Sequence, residues 1–238
     1  MLYSFLFLIS SFLGSGYPSL KVEPQKRLKI AIPEPSDICL NSKGTGFYIV
    51  SDNGFLYETD LKGSILRRAD FNGYDFEAVW CDSNHLVVVD ERTRFFHSFS
   101  TDSLKLIRTA EVNYAGGRNK GFESLTFNSF RNVRVAFTEK NPVWAFELDA
   151  DFSVKNRVQI KGFSDVSAAT YFKGKLFLLS DEDHAVFRLN PGTYAIEKKF
   201  DLPVLNPEGL AFGPEGQLFV LCDDQALLYS FENIDWLK

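Results

Sequence analysis

The sequence has one methionine, three histidines and three cysteines in 238 residues, and no run of five like charges. Each shortage removes a class of protein. His85, His97 and His184 show no metal-ligand spacing and no cysteine lies beside one, so a zinc site is disfavoured. They form no acid–base constellation either; His97 falls in a strand-like run and His184 in a turn, which points to structural roles. Cys39, Cys81 and Cys222 are odd in number and each lies inside a strand-like run, so they read as buried thiols rather than a disulfide framework. A formal charge of −5 and a sequence pI near 5.3, with no basic block, leave no electrostatic footprint for nucleic acid. There is no Gly-x-Ser-x-Gly elbow and no glycine-rich phosphate loop ending in Lys-Ser/Thr; Gly116-Gly117-Arg118 reads as a flexible turn.

A long apolar span is also missing. Leu2 to Leu20 carries no charge, but its apolar core, Leu2–Leu13, falls short of the roughly 20 residues a bilayer needs. Small Gly14-Ser15-Gly16 follows, and Pro18 closes the run. Residues 1–16 are therefore expected to be an export signal or N-terminal hydrophobic leader, although no Lys or Arg precedes the run and no Ala-x-Ala follows it. A single-span anchor is the alternative, and an uncleaved leader would be the only membrane contact.

What is abundant is aromatic and punctuating residues: 24 Phe, 9 Tyr, 16 Gly and 9 Pro, a composition for many short strands. Five segments repeat one pattern: Ser36-Asp37-Ile38-Cys39-Leu40, Glu77-Ala78-Val79-Trp80-Cys81, Glu123-Ser124-Leu125-Thr126-Phe127, Ser167-Ala168-Ala169-Thr170-Tyr171 and Glu208-Gly209-Leu210-Ala211-Phe212. Their first residues, the anchors, are 41, 46, 44 and 41 residues apart. Apolar or near-apolar residues two and four positions after each anchor give the period of a strand with one packed face. A second hydrophobic run follows each, ending in Asp52, Asp90, Glu139, Asp181 or Asp223, then a third, and in the first four repeats a more polar fourth. Four antiparallel strands in about 40–45 residues make a β-propeller blade, and no blade buries its faces alone. The fifth repeat ends after its third strand at Phe231, while Arg27–Ile32 resembles an orphan fourth strand. The prediction is an all-β propeller domain over residues 27–238, with five four-stranded blades and the N-terminal strand closing the last blade; six blades is the alternative count.

In an antiparallel pair the start of the first strand lies beside the end of the second. The anchors and the rim acids Asp52, Asp90, Glu139, Asp181 and Asp223 should therefore share one mouth of the ring. Three anchors are glutamates, Glu77, Glu123 and Glu208, and Glu34, Asp75 and Asp165 lie two residues before the other two anchors and Glu77. So many converging carboxylates must be solvated, protonated or neutralised by a cation. An all-oxygen set suits Ca²⁺, which takes about six to eight oxygen ligands, better than Mg²⁺. The ordinary alternative for the rim acids is turn capping. Arg92 and Lys140 follow rim acids and could grip an anionic group, against the ordinary alternative of solvated surface charge.

Together, Glu34-Pro35-Ser36, Asp75-Phe76-Glu77, Asp90-Glu91-Arg92, Gly121-Phe122-Glu123, Glu139-Lys140-Asn141-Pro142, Asp165-Val166-Ser167 and Glu208-Gly209 resemble the SdiA-regulated (YjiK/CarP-like) β-propeller proteins of the bacterial envelope. The resemblance covers nearly all of the chain after residue 30. It implies an exported propeller of the periplasm or cell envelope, linked to calcium and sometimes described as phytase-like. This chain has Asp37, Ser124 and Ala168 where a small Gly often follows the anchor in that family.

Three functions remain in view. One is a calcium-binding propeller whose acidic axial site holds a divalent ion, with a small anionic ligand or a protein docking on that face. Another is a calcium-dependent hydrolase, a phytase-like phosphoesterase or a lactonase, with catalytic residues unassigned. The last is a protein-interaction platform.

Overall fold

The computed structural model describes residues 18–114, 121–232 and 234–238. The expected leader and the Gly116-Gly117-Arg118 turn lie outside the described residues. Among those described, every regular element is a β-strand, and the strands form five sheets arranged as the blades of one propeller.

Blade 1 comprises Pro35–Leu40, Gly46–Ser51, Phe55–Asp60 and Ile65–Arg68, from axis to rim. Blade 2 comprises Phe76–Cys81, Leu86–Asp90, Phe95–Phe99 and Leu106–Glu111, and blade 3 Phe122–Asn128, Val133–Thr138, Trp144–Leu148 and Val154–Gln159. Blade 4 comprises Ala168–Phe172, Lys175–Ser180, Ala185–Leu189 and Ile196–Asp201. Blade 5 takes Pro207–Phe212, Leu218–Cys222 and Leu227–Phe231 from the end of the chain and Lys26–Lys29 from its beginning, with Lys26 opposite Ser230 and Lys29 opposite Leu227. The closing strand is thus where the repeat arithmetic expects it. One strand escapes that arithmetic: Ser19–Lys21 runs parallel to Ile196–Asp201 and covers the outer edge of blade 4. Three residues are too few to carry a period.

The blades cohere through five separate apolar seams, one between each neighbouring pair. Ile38, Phe47 and Ile49 of blade 1 meet Ala211, Leu221 and Leu228 of blade 5, so the ring is shut. At roughly 1.5–3 kcal/mol per fully buried large side chain, each seam is a substantial core. Gly209 permits the closest approach at the closing seam: a Cβ there would lie 2.9 Å from Leu221 Cβ and 3.0 Å from Ile38 N. The sequence pattern gives no warning of one further element, the C-terminal tail. It folds back so that Trp236 is buried in the seam between blades 4 and 5.

Candidate functional site

The innermost strands start at one mouth of the ring, where the chain arriving from each preceding blade turns inward. A cavity of about 270 Å³ opens there, and all five anchors, Ser36, Glu77, Glu123, Ser167 and Glu208, line it. Asp52, Glu139, Asp181 and Asp223 line it too.

Asp90 does not. It is 1% exposed, its carboxylate accepting hydrogen bonds from Tyr74 N (2.8 Å) and Thr93 N (3.1 Å). Glu91 stands in its place at the cavity. The register explains the shift by one. Asp90 pairs across the sheet with Phe76, as Ser51 does with Pro35, Thr138 with Phe122 and Cys222 with Pro207. The rim acid is the next residue in each blade. In the other four blades a small Ser, Thr or Cys separates the hydrophobic run from the acid, whereas in blade 2 an acid occupies both positions.

The serine anchors are latches between blades. Ser36 Oγ donates to Phe76 O, and Ser167 Oγ donates to Pro207 O at 2.9 Å, each binding the residue before the next blade's anchor. Ser167→Ala should lower stability by about 1–2 kcal/mol, measured by urea denaturation, because the buried Pro207 carbonyl loses this donor.

The residues two before the anchors mostly brace their own blade. Asp165 is 4% exposed and accepts from Asp181 N (3.2 Å), Glu182 N (3.1 Å) and Ser180 Oγ. Glu34 is exposed, outside the cavity, and accepts from Asn53 Nδ2 at 2.7 Å. In blade 5 the same place is held by Asn206, which donates to Asp224. Glu34 and Asp165 thus brace turns, and Asp165 also lines the cavity.

Asp75 is different. Its carboxylate and those of Glu77 and Glu91 bring one oxygen each within 4.8 Å of one another. Glu91 Oε1 accepts from Gly121 N at 2.8 Å, and Glu91 also shares a hydrogen bond with Glu123. Gly121 makes this possible, since a Cβ would meet Glu91 O at 2.5 Å. Four carboxyl groups from blades 2 and 3 thus converge beside the axis.

Burial pushes the Glu77 and Glu123 carboxyls well above the usual range, and the surrounding acids push them further: Asp52, Asp75 and Glu91 for Glu77, and Glu77, Glu91 and Glu139 for Glu123. Across the cavity, burial and then Asp223 and Asp181 raise Glu208 to about 8. Burial with Asp223 and Asp75 raises Asp52 to about 6. Burial and mutual repulsion thus favour the protonated form of these acids when no cation is bound.

Lys140 lines the cavity, and both it and Arg92 are paired with carboxylates. Lys140 Nζ sits between Glu139 (2.7 Å) and Glu182 (2.9 Å), and Arg92 pairs with Asp75 at 3.4 Å, outside the cavity. Asp37, Ser124 and Ala168, which follow their anchors, are buried between blades and do not line the cavity. Asp37 accepts from Val79 N at 2.8 Å, tying blade 1 to blade 2. None of the three histidines lines the cavity: His97 Nδ1 lies 2.8 Å from Thr109 Oγ1, His184 Nδ1 lies 3.1 Å from Val204 O, and the exposed His85 Nδ1 lies 3.0 Å from Asp82 Oδ1.

A glutaminyl cyclase of Myxococcus xanthus is similar in structure, with a TM-score of 0.75 over 91% of this chain and 97% of that one at 15% identity. The propeller domain of Cps50 (Swd1) from Myceliophteria thermophila is similar at a TM-score of 0.57, 8% identity, 88% of this chain and 99% of that one. At these identities the likeness is one of fold. No curated protein matches the chain. Residues 19–232 match the SdiA-regulated family over almost the whole propeller, and the chain belongs to that family.

Proposed function

We propose that the protein is a divalent-cation-binding propeller whose ion is held at the acidic mouth by Asp75, Glu77, Glu91 and Glu123. The observation that carries this is the approach of Asp75, Glu77 and Glu91 oxygens to within 4.8 Å of one another. Apart from Lys140, the polar groups facing the cavity are carboxylates and hydroxyls, a hard-oxygen set suited to Ca²⁺ and less to Mg²⁺, which demands stricter octahedral geometry. When bound, the ion would supply positive charge that favours the ionised carboxylates and would polarise a ligand oxygen. The chain's own acids orient one another, Gly121 N fixing Glu91 and Arg92 fixing Asp75.

Calorimetric titration with Ca²⁺ and with Mg²⁺ tests the reading. Expected are saturable heat for Ca²⁺, release of protons on binding, and an affinity at least about tenfold weaker in Glu77→Gln, a loss of roughly 1.4 kcal/mol. Absence of saturable Ca²⁺ binding in the millimolar range overturns it, and a melting curve that ignores chelator favours an interaction platform instead.

A hydrolase on the same face is the second reading. It is favoured by Glu208, whose value of about 8 lets it exchange a proton near neutral pH. Hydrolysis of a phosphate ester or a lactone, abolished by Glu123→Gln, would support it. Export rests on the leader and on the family resemblance, and is tested by cell fractionation with N-terminal sequencing of the mature chain.

A further inference from the structure

Far from the acidic mouth, at the other end of the innermost strands, two cysteines of different blades meet. Cys39 lies near the end of Pro35–Leu40 and Cys81 ends Phe76–Cys81, and their sulfurs are 2.9 Å apart. We propose that Cys39 and Cys81 are a modification site, a pair of thiols that closes into a disulfide linking blade 1 to blade 2.

Strand geometry makes the meeting a built feature. Successive side chains point to opposite faces. Cys39, three residues after its anchor, faces blade 2, and Cys81, four after its anchor, faces blade 1; both pack on the seam that contains Tyr48, Val79 and Leu86. The same two positions meet at the next seam, where Trp80 of blade 2 packs against Phe127 of blade 3 with ring centroids 5.9 Å apart. The contact thus recurs at two successive seams, and between blades 1 and 2 it is made of two thiols. A disulfide has its sulfurs about 2.05 Å apart, so closure asks for a movement of roughly 0.9 Å. Both cysteines are half-buried, and burial pushes the Cys39 thiol well above its usual range, which disfavours it as the first attacking thiolate. Cys222 is buried in another seam, its thiol donating to Leu205 O at 2.9 Å, and does not compete.

The oxidant is a small-molecule disulfide such as oxidised glutathione. One protein thiolate attacks a sulfur of the reagent, a mixed disulfide forms, and one glutathione thiolate leaves. The second protein thiolate attacks the protein sulfur of that mixed disulfide and expels the other glutathione. Two protein thiols are oxidised to one disulfide, one reagent disulfide is reduced to two thiols, and the two protons lost by the protein go to the leaving thiolates.

The test is to incubate the folded, full-length protein with oxidised glutathione, alkylate, and read intact mass and peptides. Alkylatable thiols should fall from three to one, and one peptide pair from a single chain should carry Cys39 joined to Cys81. The melting temperature should rise by roughly 5–10 °C and return when dithiothreitol is added. Cys222→Ser should behave as the parent does. Cys39→Ala, which leaves an apolar group in a mostly apolar seam, should lose the thermal response. The proposal is overturned if three thiols stay alkylatable, if glutathione remains attached as a stable mixed disulfide, or if the bridge joins two chains or includes Cys222.

Discussion

Replacing Glu208 with glutamine should raise the stability of the metal-free protein at pH 9 by roughly 3–5 kcal/mol and change it little at pH 4. In the folded protein burial and the neighbouring Asp223 and Asp181 hold this carboxyl at about 8, whereas in the unfolded chain it titrates near 4.3. Between those values the folded state keeps a proton that the unfolded state releases. Stability therefore falls as pH rises through the interval and levels off above it. A neutral glutamine has no proton to lose, so its profile should be flatter over that range. Urea denaturation with chelator at pH 4, 6, 8 and 9 gives the comparison, and parallel profiles for the two proteins would refute the electrostatic account. Asp52, raised to about 6, should contribute a smaller fall of the same sign between the ordinary aspartate range and pH 6. A bound cation should reverse the trend, because it rewards the ionised carboxylates.

Trp236→Ala should cost about 3–5 kcal/mol and lower the melting temperature by roughly 6–20 °C. The indole is 2% exposed and is wedged among Phe200, Phe212 and Phe231 at centroid distances of 4.8, 5.9 and 6.4 Å. Arg188 donates to its carbonyl at 3.0 Å, which fixes the tail across blade 4. Truncation would leave a void between two rigid sheets, and sheets held in a closed ring have little freedom to collapse into it. Leu237→Ala is the control. That side chain is 39% exposed, and its loss should cost no more than about 0.5 kcal/mol. Equal effects of the two substitutions would mean that the tail contributes only loosely.

The blades were readable because each must bury its faces against its two neighbours, which forces apolar residues into a fixed phase relative to the anchor. That phase yields the blade count, the anchor column at the mouth and the N-terminal closing strand. What it does not encode is which atom a polar side chain reaches. Asp165 and Glu34 have the residue type and spacing of Asp75, yet neighbouring backbone amides and Asn53 claim them, a matter of turn geometry two or three residues away. Glu91 was hidden by Asp90, since an acid ends the hydrophobic run one position early in blade 2 alone; the Ser, Thr or Cys that precedes the acid in every other blade was the available signal. The contact between Cys39 and Cys81 depends on opposite faces of strands in different blades, and a period within one strand says nothing of what stands across a seam. Trp236 lies beyond the last repeat, where no alternation constrains it.

Lys26–Lys29 take their hydrogen-bond partners from Leu227–Ser230, some two hundred residues further along the chain. Single blades can form from local contacts, but the circle stays open until these two distant segments meet. Ring completion is therefore the long-range step of folding, slowed by the search between segments so far apart in sequence. Until it happens, the two flanks that will become one seam are exposed and sticky, and a molecule that finds the wrong N-terminus can trade strands with it and emerge as an interlocked dimer.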